Sequence, residues 1–170
     1  MSEIDAHGLA VDVPSGWEGR IFRRNAAGET RVSEVAGGNA PHGELTFPVV
    51  HVATVPLPLD AADYGSDVVS TLGPNDVLIV LKEFSPGEGS QPLFSRAGMP
   101  RSLDGEDFDP NALQRAIDGQ GGRQVFFHEA GRAFCLYIVL GSYQRRYQVI
   151  GHVNDVLGTI RIDPLPAAAP

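Results

Sequence analysis

Five consecutive apolar residues, Val77-Leu78-Ile79-Val80-Leu81, set the tightest limit on what this chain can fold into. Successive side chains of a strand point to opposite faces, so an unbroken apolar strand has to be covered on both sides. We read it as a central strand. A longer run, Ala133 to Leu140, spans eight residues, far short of the roughly 20 that a membrane helix needs. It belongs to the clearest hairpin in the chain, Gln124–His128 and Arg132–Leu140 around Glu129-Ala130-Gly131.

Weaker strand patterns surround these two. Leu9, Val11 and Val13 alternate with Ala10 and Asp12 until Pro14-Ser15-Gly16, and Trp17 follows. Residues 19–24 resume the pattern, Asn25–Gly28 has turn chemistry, and 30–35 returns antiparallel. A polar loop, Gly37 to Thr46, leads to a strand over Phe47–Val55 that Pro56 and Pro58 end, and Thr159–Ile162 is a last short strand. The spacing predicts three helices. Asp60 caps the first, with Ala61, Tyr64, Val68 and Leu72 on one face and Gly73-Pro74 as its stop. Asp109-Pro110 opens the second, through Ile117. The third follows Ser142 as N-cap, with Tyr143, Tyr147, Ile150, Val153 and Leu157 facing inward. Residues 85–100 read as a long loop with Gly and Pro but no periodicity.

The 20 glycines and 13 prolines mostly punctuate these elements. At 170 residues the chain reads as a single domain over 9–162, with an N-terminal extension, 1–8, and a flexible C-terminal tail, 163–170. Tight turns between neighbouring strands imply a mainly antiparallel sheet. Helices between strand groups flank it, so the expected class is α+β, an α/β/α sandwich. Strict β-α-β alternation is missing.

Two stretches resemble the PsbP/Mog1-like superfamily. They are Leu9-Ala10-Val11-Asp12-Val13-Pro14-Ser15-Gly16-Trp17 and the ending Val153-Asn154-Asp155-Val156-Leu157-Gly158-Thr159-Ile160-Arg161-Ile162. The resemblance spans about residues 9–162 and rests on the order of elements more than on identity. It implies an antiparallel sheet between helices and a non-catalytic role as adaptor, chaperone, assembly factor or ligand carrier. It transfers no binding residue, because the superfamily shares no single functional set.

A formal charge of −8 argues against nucleic acid as partner. Cys135 is the single cysteine, so no internal disulfide forms, and the first residues have neither a basic nor an apolar signal region. The expected location is the cytoplasm, without membrane insertion.

No phosphate loop, nucleophile elbow or metal-ligand spacing occurs, so neither a cofactor nor a metal is expected. The acids of Asp104-Gly105-Glu106-Asp107-Phe108-Asp109 lack the EF-hand spacing and read as charges gathered before a helix N-terminus. Cys135 sits among apolar residues as a small core side chain. The most specific candidate is an anion site formed by Ser142, Arg145 and Arg146 at the start of the last helix, where free N–H groups and two guanidinium groups converge. The plainer reading is arginines paired with acids or lying in solvent. Phe84, Phe94 and Met99 bracket the 85–100 loop as a candidate apolar partner surface. Trp17, Phe22, Phe126, Phe127, Phe134 and Tyr137 line one cavity or fill the core.

The leading functional reading is a binding protein without catalytic residues, an adaptor or chaperone-like factor whose partner is another protein or a small ligand. One rival is a small hydrolase or transferase using His128 or His152 as base, with anion capture at Arg145 and Arg146. Another is a structural subunit that buries an edge strand in an oligomer.

Overall fold

The computed structural model describes residues 1–24, the backbone of 30–32, and 46–166. The turn expected at Asn25–Gly28, residues 33–35 of the returning strand, nearly all of the 37–46 loop, His42 and the tail residues 167–170 lie outside the described residues.

Among the described residues nine strands build two sheets: β1 (Ser2–Ala6), β2 (Leu9–Val13), β3 (Glu18–Arg24), β4 (Thr30–Val32), β5 (Val49–Ala53), β6 (Val77–Phe84), β7 (Gly121–Glu129), β8 (Arg132–Leu140) and β9 (Arg161–Ile162). The larger sheet runs β4-β3-β5-β6-β8-β7 and the smaller β1-β2-β9. Every strand pairing is antiparallel. The Val77–Leu81 run lies in β6 near the middle of the larger sheet, as a strand apolar on both faces must. The β7–β8 hairpin turns at Ala130 and Gly131, both with positive φ.

The large sheet is covered on both faces, but by different means. Its first face carries Ile79, Leu81, Phe127, Phe134, Leu136 and Ile138 and packs against the small sheet and helix α2 (Arg146–Leu157). Its second face carries Phe22, Leu78, Val80, Cys135 and Tyr137 and is covered by segments without α-helix around residues 54–76 and 109–119. The six aromatics considered from sequence are thus divided between faces: Phe127 and Phe134 stack at 5.5 Å on the first, where Trp17 packs against the same core, whereas Phe22, Tyr137 and Phe126 belong to the second. Among the described residues the protein is mixed α and β with antiparallel sheets, and α2 packs on the first face of the larger one.

Two expected helices do not form. In 60–72 only the 3-10 turn Val69–Thr71 is helical. Gly65 adopts φ +67°, a left-handed conformation that breaks a right-handed helix at its centre. A Cβ at Gly65 would also collide with Leu78, so this residue lets the backbone lie directly on β6. Over 109–117, Asp109 joins the sheet instead: its N–H and C=O each bond Gly122 at 2.9 Å. Its carboxylate then takes the Asn111 N–H at 2.7 Å, and the Tyr137 hydroxyl accepts from Gln114 N–H at 2.7 Å. Side-chain acceptors have replaced the helical ones.

Three boundaries also shift. Residues 2–6 are no extension but strand β1, paired with β2 from Ser2↔Val13 to Ala6↔Leu9. The tail is anchored at its first residue, with Asp163 N–H donating to Gly8 O at 2.8 Å. The 85–100 segment contains the short helix α1 (Pro86–Gly89), capped reciprocally by Ser85 and Glu88, and the 3-10 turn Pro92–Phe94. The acids of 104–109 sit on another such turn, Gly105–Asp107, closed by Asp104 and Asp107 rather than leading a helix.

Candidate functional site

β6 continues past its apolar run as Lys82-Glu83-Phe84, and the strand alternation sends the two charges to opposite faces. On the first face Glu83 meets Arg132, the residue that opens β8. Their side chains are only 3% and 2% exposed, and the pairing is bidentate: Nε to Oε1 and Nη2 to Oε2, both 2.8 Å. Arg132 Nη1 also donates to Gly8 O at 3.2 Å and Asp163 O at 2.9 Å, and Nη2 to His7 O at 2.9 Å. All five guanidinium N–H bonds are thereby matched to acceptors. The pair ties the large sheet to the β1–β2 turn and to the chain leaving β9.

On the second face Lys82 Nζ lies 3.0 Å from Asp63 Oδ2, and Arg24 Nε lies 2.8 Å from Asp63 Oδ1. Burial alone would raise the Asp63 pKa, but these two hydrogen-bonded cations outweigh it and hold the carboxyl below its ordinary range. His51, fully buried on β5, donates from Nε2 to Asp63 O at 2.7 Å, and burial pushes its pKa down to about 4. Lys82 also sits over the rings of Tyr64 and Phe84, at 5.4 and 5.2 Å. The Cys135 thiol beneath is raised to about 11 by burial, so it is protonated at neutral pH and unsuited to attack as a thiolate. An open cleft of about 630 Å³, lined by Arg24, Asp60, Asp63, Tyr64 and Gln114, lies beside this cluster.

Two further clefts adjoin the Glu83–Arg132 pair and share Phe47, Glu83, Arg132 and Leu165 in their walls. One, of about 300 Å³, adds Phe84, Pro86, Ser90, His128 and Ala133; the other, of about 360 Å³, adds His7, Arg23, Pro48 and Pro166. Leu165, half exposed, stands between them.

The residues singled out from sequence are placed as follows. Ser142 does not cap α2; the N-cap is Arg145, without a side-chain cap bond, because Tyr143 N–H is drawn to Gly119 O at 2.7 Å and the helix begins later. Arg145 is exposed. Arg146 folds back over the Tyr143 and Tyr147 rings at 4.0 and 4.5 Å, and its Nη1 donates to Tyr143 O at 3.0 Å. Tyr147 is turned outward, donating to Glu106 at 2.8 Å, so the buried face of α2 is Val149, Val153, Val156 and Leu157 rather than one containing Tyr147. Phe94 and Met99 are buried, correcting their reading as an exposed patch: Phe94 packs on Phe84 and Phe126, and Met99 enters the first-face core. His128 lines the smaller Leu165 cleft with Nδ1 2.7 Å from Phe94 O, while His152 is exposed on α2.

Sequence reasoning missed Glu83, Arg132, Asp63 and Lys82 as partners. The available signal was Lys82-Glu83 directly extending a doubly buried apolar run, since each charge then needs a counter-charge on its own face. Among the described residues, no group of three or more His, Cys, Asp or Glu is arranged to hold a metal, and no helix is long and apolar enough to cross a membrane. Comparison with known proteins gave no match: no family model, curated protein or solved structure is similar to this chain.

Proposed function

We propose that the protein acts as a cytoplasmic binding protein, without catalysis of its own, and that its ligand is an extended apolar segment seated in the clefts beside Leu165. The observation that carries this reading is the pair of clefts itself. Their walls are mostly apolar, and the Glu83–Arg132 pair that both clefts share has its guanidinium donors already matched. Such a site offers apolar contact with few polar groups to fix orientation, as binding pockets commonly do. Leu165 and Pro166 of the chain itself border these clefts, which supports an apolar, proline-containing segment as the ligand.

Kinship with the PsbP/Mog1-like superfamily is part of the same proposal, since that resemblance implies adaptor or carrier roles. The hydrolase alternative draws less support: His128 engages the Phe94 carbonyl, His152 is exposed on α2, and Arg146 is stacked between tyrosines.

Titrating acetyl-Pro-Leu-Pro-amide into the labelled protein tests the reading by amide chemical shifts. We expect saturable shifts at Ser90, Gly131 and Ala133, abolished in a Ser90→Trp variant whose indole fills the cleft. Shifts clustered away from these residues, or unchanged binding by Ser90→Trp, would overturn it.

A further inference from the structure

The outer edge of β7 is closed at both ends and open in the middle. Its inner edge pairs with β8 in unbroken register from Gly121↔Leu140 to Glu129↔Arg132. Alternate residues therefore direct their N–H and C=O outward, and the bonds at each end identify which. Gly122 exchanges two bonds with Asp109 at 2.9 Å. His128 N–H donates to Arg96 O and His128 O accepts from Gly98 N–H, both at 2.8 Å. Gln124 and Phe126 lie between them in the same outward set. β7 is the last strand of its sheet, and among the described residues nothing bonds the main-chain N–H or C=O of Gln124 or Phe126. Both residues are partly exposed.

We propose that this opening accepts a short extended peptide of a partner protein as an added antiparallel strand, with an apolar–acidic–apolar sequence at its three central positions. Strand addition at a free edge obtains affinity from main-chain hydrogen bonds and specificity from alternate side chains. The two residues paired with Gln124 and Phe126 place their side chains on the second face. There Phe94 lies 5.6 Å from Phe126, and Leu113 approaches the Cα of Gly122 closely enough to meet a Cβ built there at 2.8 Å, so apolar side chains fit. The residue between them faces the side that carries Arg123, whose buried Nε has no acceptor among the described residues. A carboxylate at that position supplies one. A second copy's β7 does not suit this opening. It carries its own Ala97 and Asp109 bridges at the same spacing, and pairing the two edges drives those bridges against each other. A short segment that leaves the edge at both ends avoids the collision.

The probe is acetyl-Gly-Thr-Val-Glu-Val-Thr-Gly-amide, followed by hydrogen exchange of individual amides in the full chain. We expect saturable slowing at Gln124 and Phe126, and about tenfold weaker binding when Glu is replaced by Gln in the peptide or when Gln124→Pro removes one outward donor. A peptide N-methylated at both valines, tested on the unaltered protein, covers the case in which Gln124→Pro fails to fold, and is expected to lose the slowing. No slowing at about 10 mM peptide, or slowing that survives N-methylation, overturns the proposal. So does protection of the same amides without peptide in step with a dimer mass by light scattering, which assigns the edge to a second copy. These amides are separate from Ser90, Gly131 and Ala133, so failure here leaves the cleft reading to its own test.

Discussion

Replacing Arg132 with methionine is expected to lower the unfolding free energy by about 3–5 kcal/mol, the largest effect of any single substitution considered. The loss has two parts. Glu83, 4% exposed, would remain as a carboxylate in the core without its counter-charge. The carbonyls of His7, Gly8 and Asp163 would lose their shared donor, releasing the β1–β2 turn and the chain beyond β9. The double variant Arg132→Met/Glu83→Leu should recover a substantial part, because removing both charges also removes the cost of burying one alone. Urea unfolding monitored by tryptophan fluorescence measures both. A single variant within about 1 kcal/mol of the parent would show that the pair contributes little, as surface ion pairs do.

The second large effect is a loss of stability on acidification. His51 takes up a proton with a pKa near 4 when folded, against about 6.5 when unfolded. Its folded value is depressed, so the unfolded chain binds the extra proton first as pH falls. Stability is therefore full above about pH 6.5, declines by about 2 kcal/mol at pH 5, and by about 3 kcal/mol once pH passes below 4. Burial is the main cause, with Arg24 adding to it, while Asp63 and Asp67 partly oppose it. His7, also lowered chiefly by burial, acts in the same direction. Asp63, held low by Arg24 and Lys82, loses its contribution only further down, through the carboxylate range. In His51→Gln the amide still reaches Asp63 O, but most of the slope between pH 6.5 and 4.5 should vanish. Denaturation midpoints at half-unit pH steps decide this; an unchanged slope in the variant would assign the effect elsewhere.

The strands were legible because burial leaves a period in the sequence. Alternation at Leu9, Val11 and Val13, the solid run at Val77–Leu81 and the hairpin over Gln124–Leu140 all follow from having one or two covered faces. The helices were less legible because apolar spacing of three and four also arises in a segment whose backbone is fixed by other means. Ala61, Tyr64, Val68 and Leu72 have helical spacing and all pack on the second face, yet Gly65 and the bonds drawn to Asp63 hold the chain in turns. The ion pairs join residues 49 apart at Glu83–Arg132 and 39 apart at Arg24–Asp63, a separation that only sheet register resolves. Strand β1 escaped notice because Ser2-Glu3-Ile4-Asp5-Ala6 buries only Ile4. The clefts beside Leu165 depend on where the chain runs after β9, which no local pattern encodes.

Changing Leu165, which borders both clefts, probes their role as the binding site. Leu165→Ser removes a half-exposed side chain and leaves every residue of the Glu83–Arg132 pair and the Asp63 cluster in place. If Leu165 occupies its own protein's ligand site, affinity for acetyl-Pro-Leu-Pro-amide should rise severalfold in this variant, with shifts still centred on Ser90, Gly131 and Ala133. Unchanged or weaker affinity, or shifts that move to another surface, would show that the clefts are not the binding site.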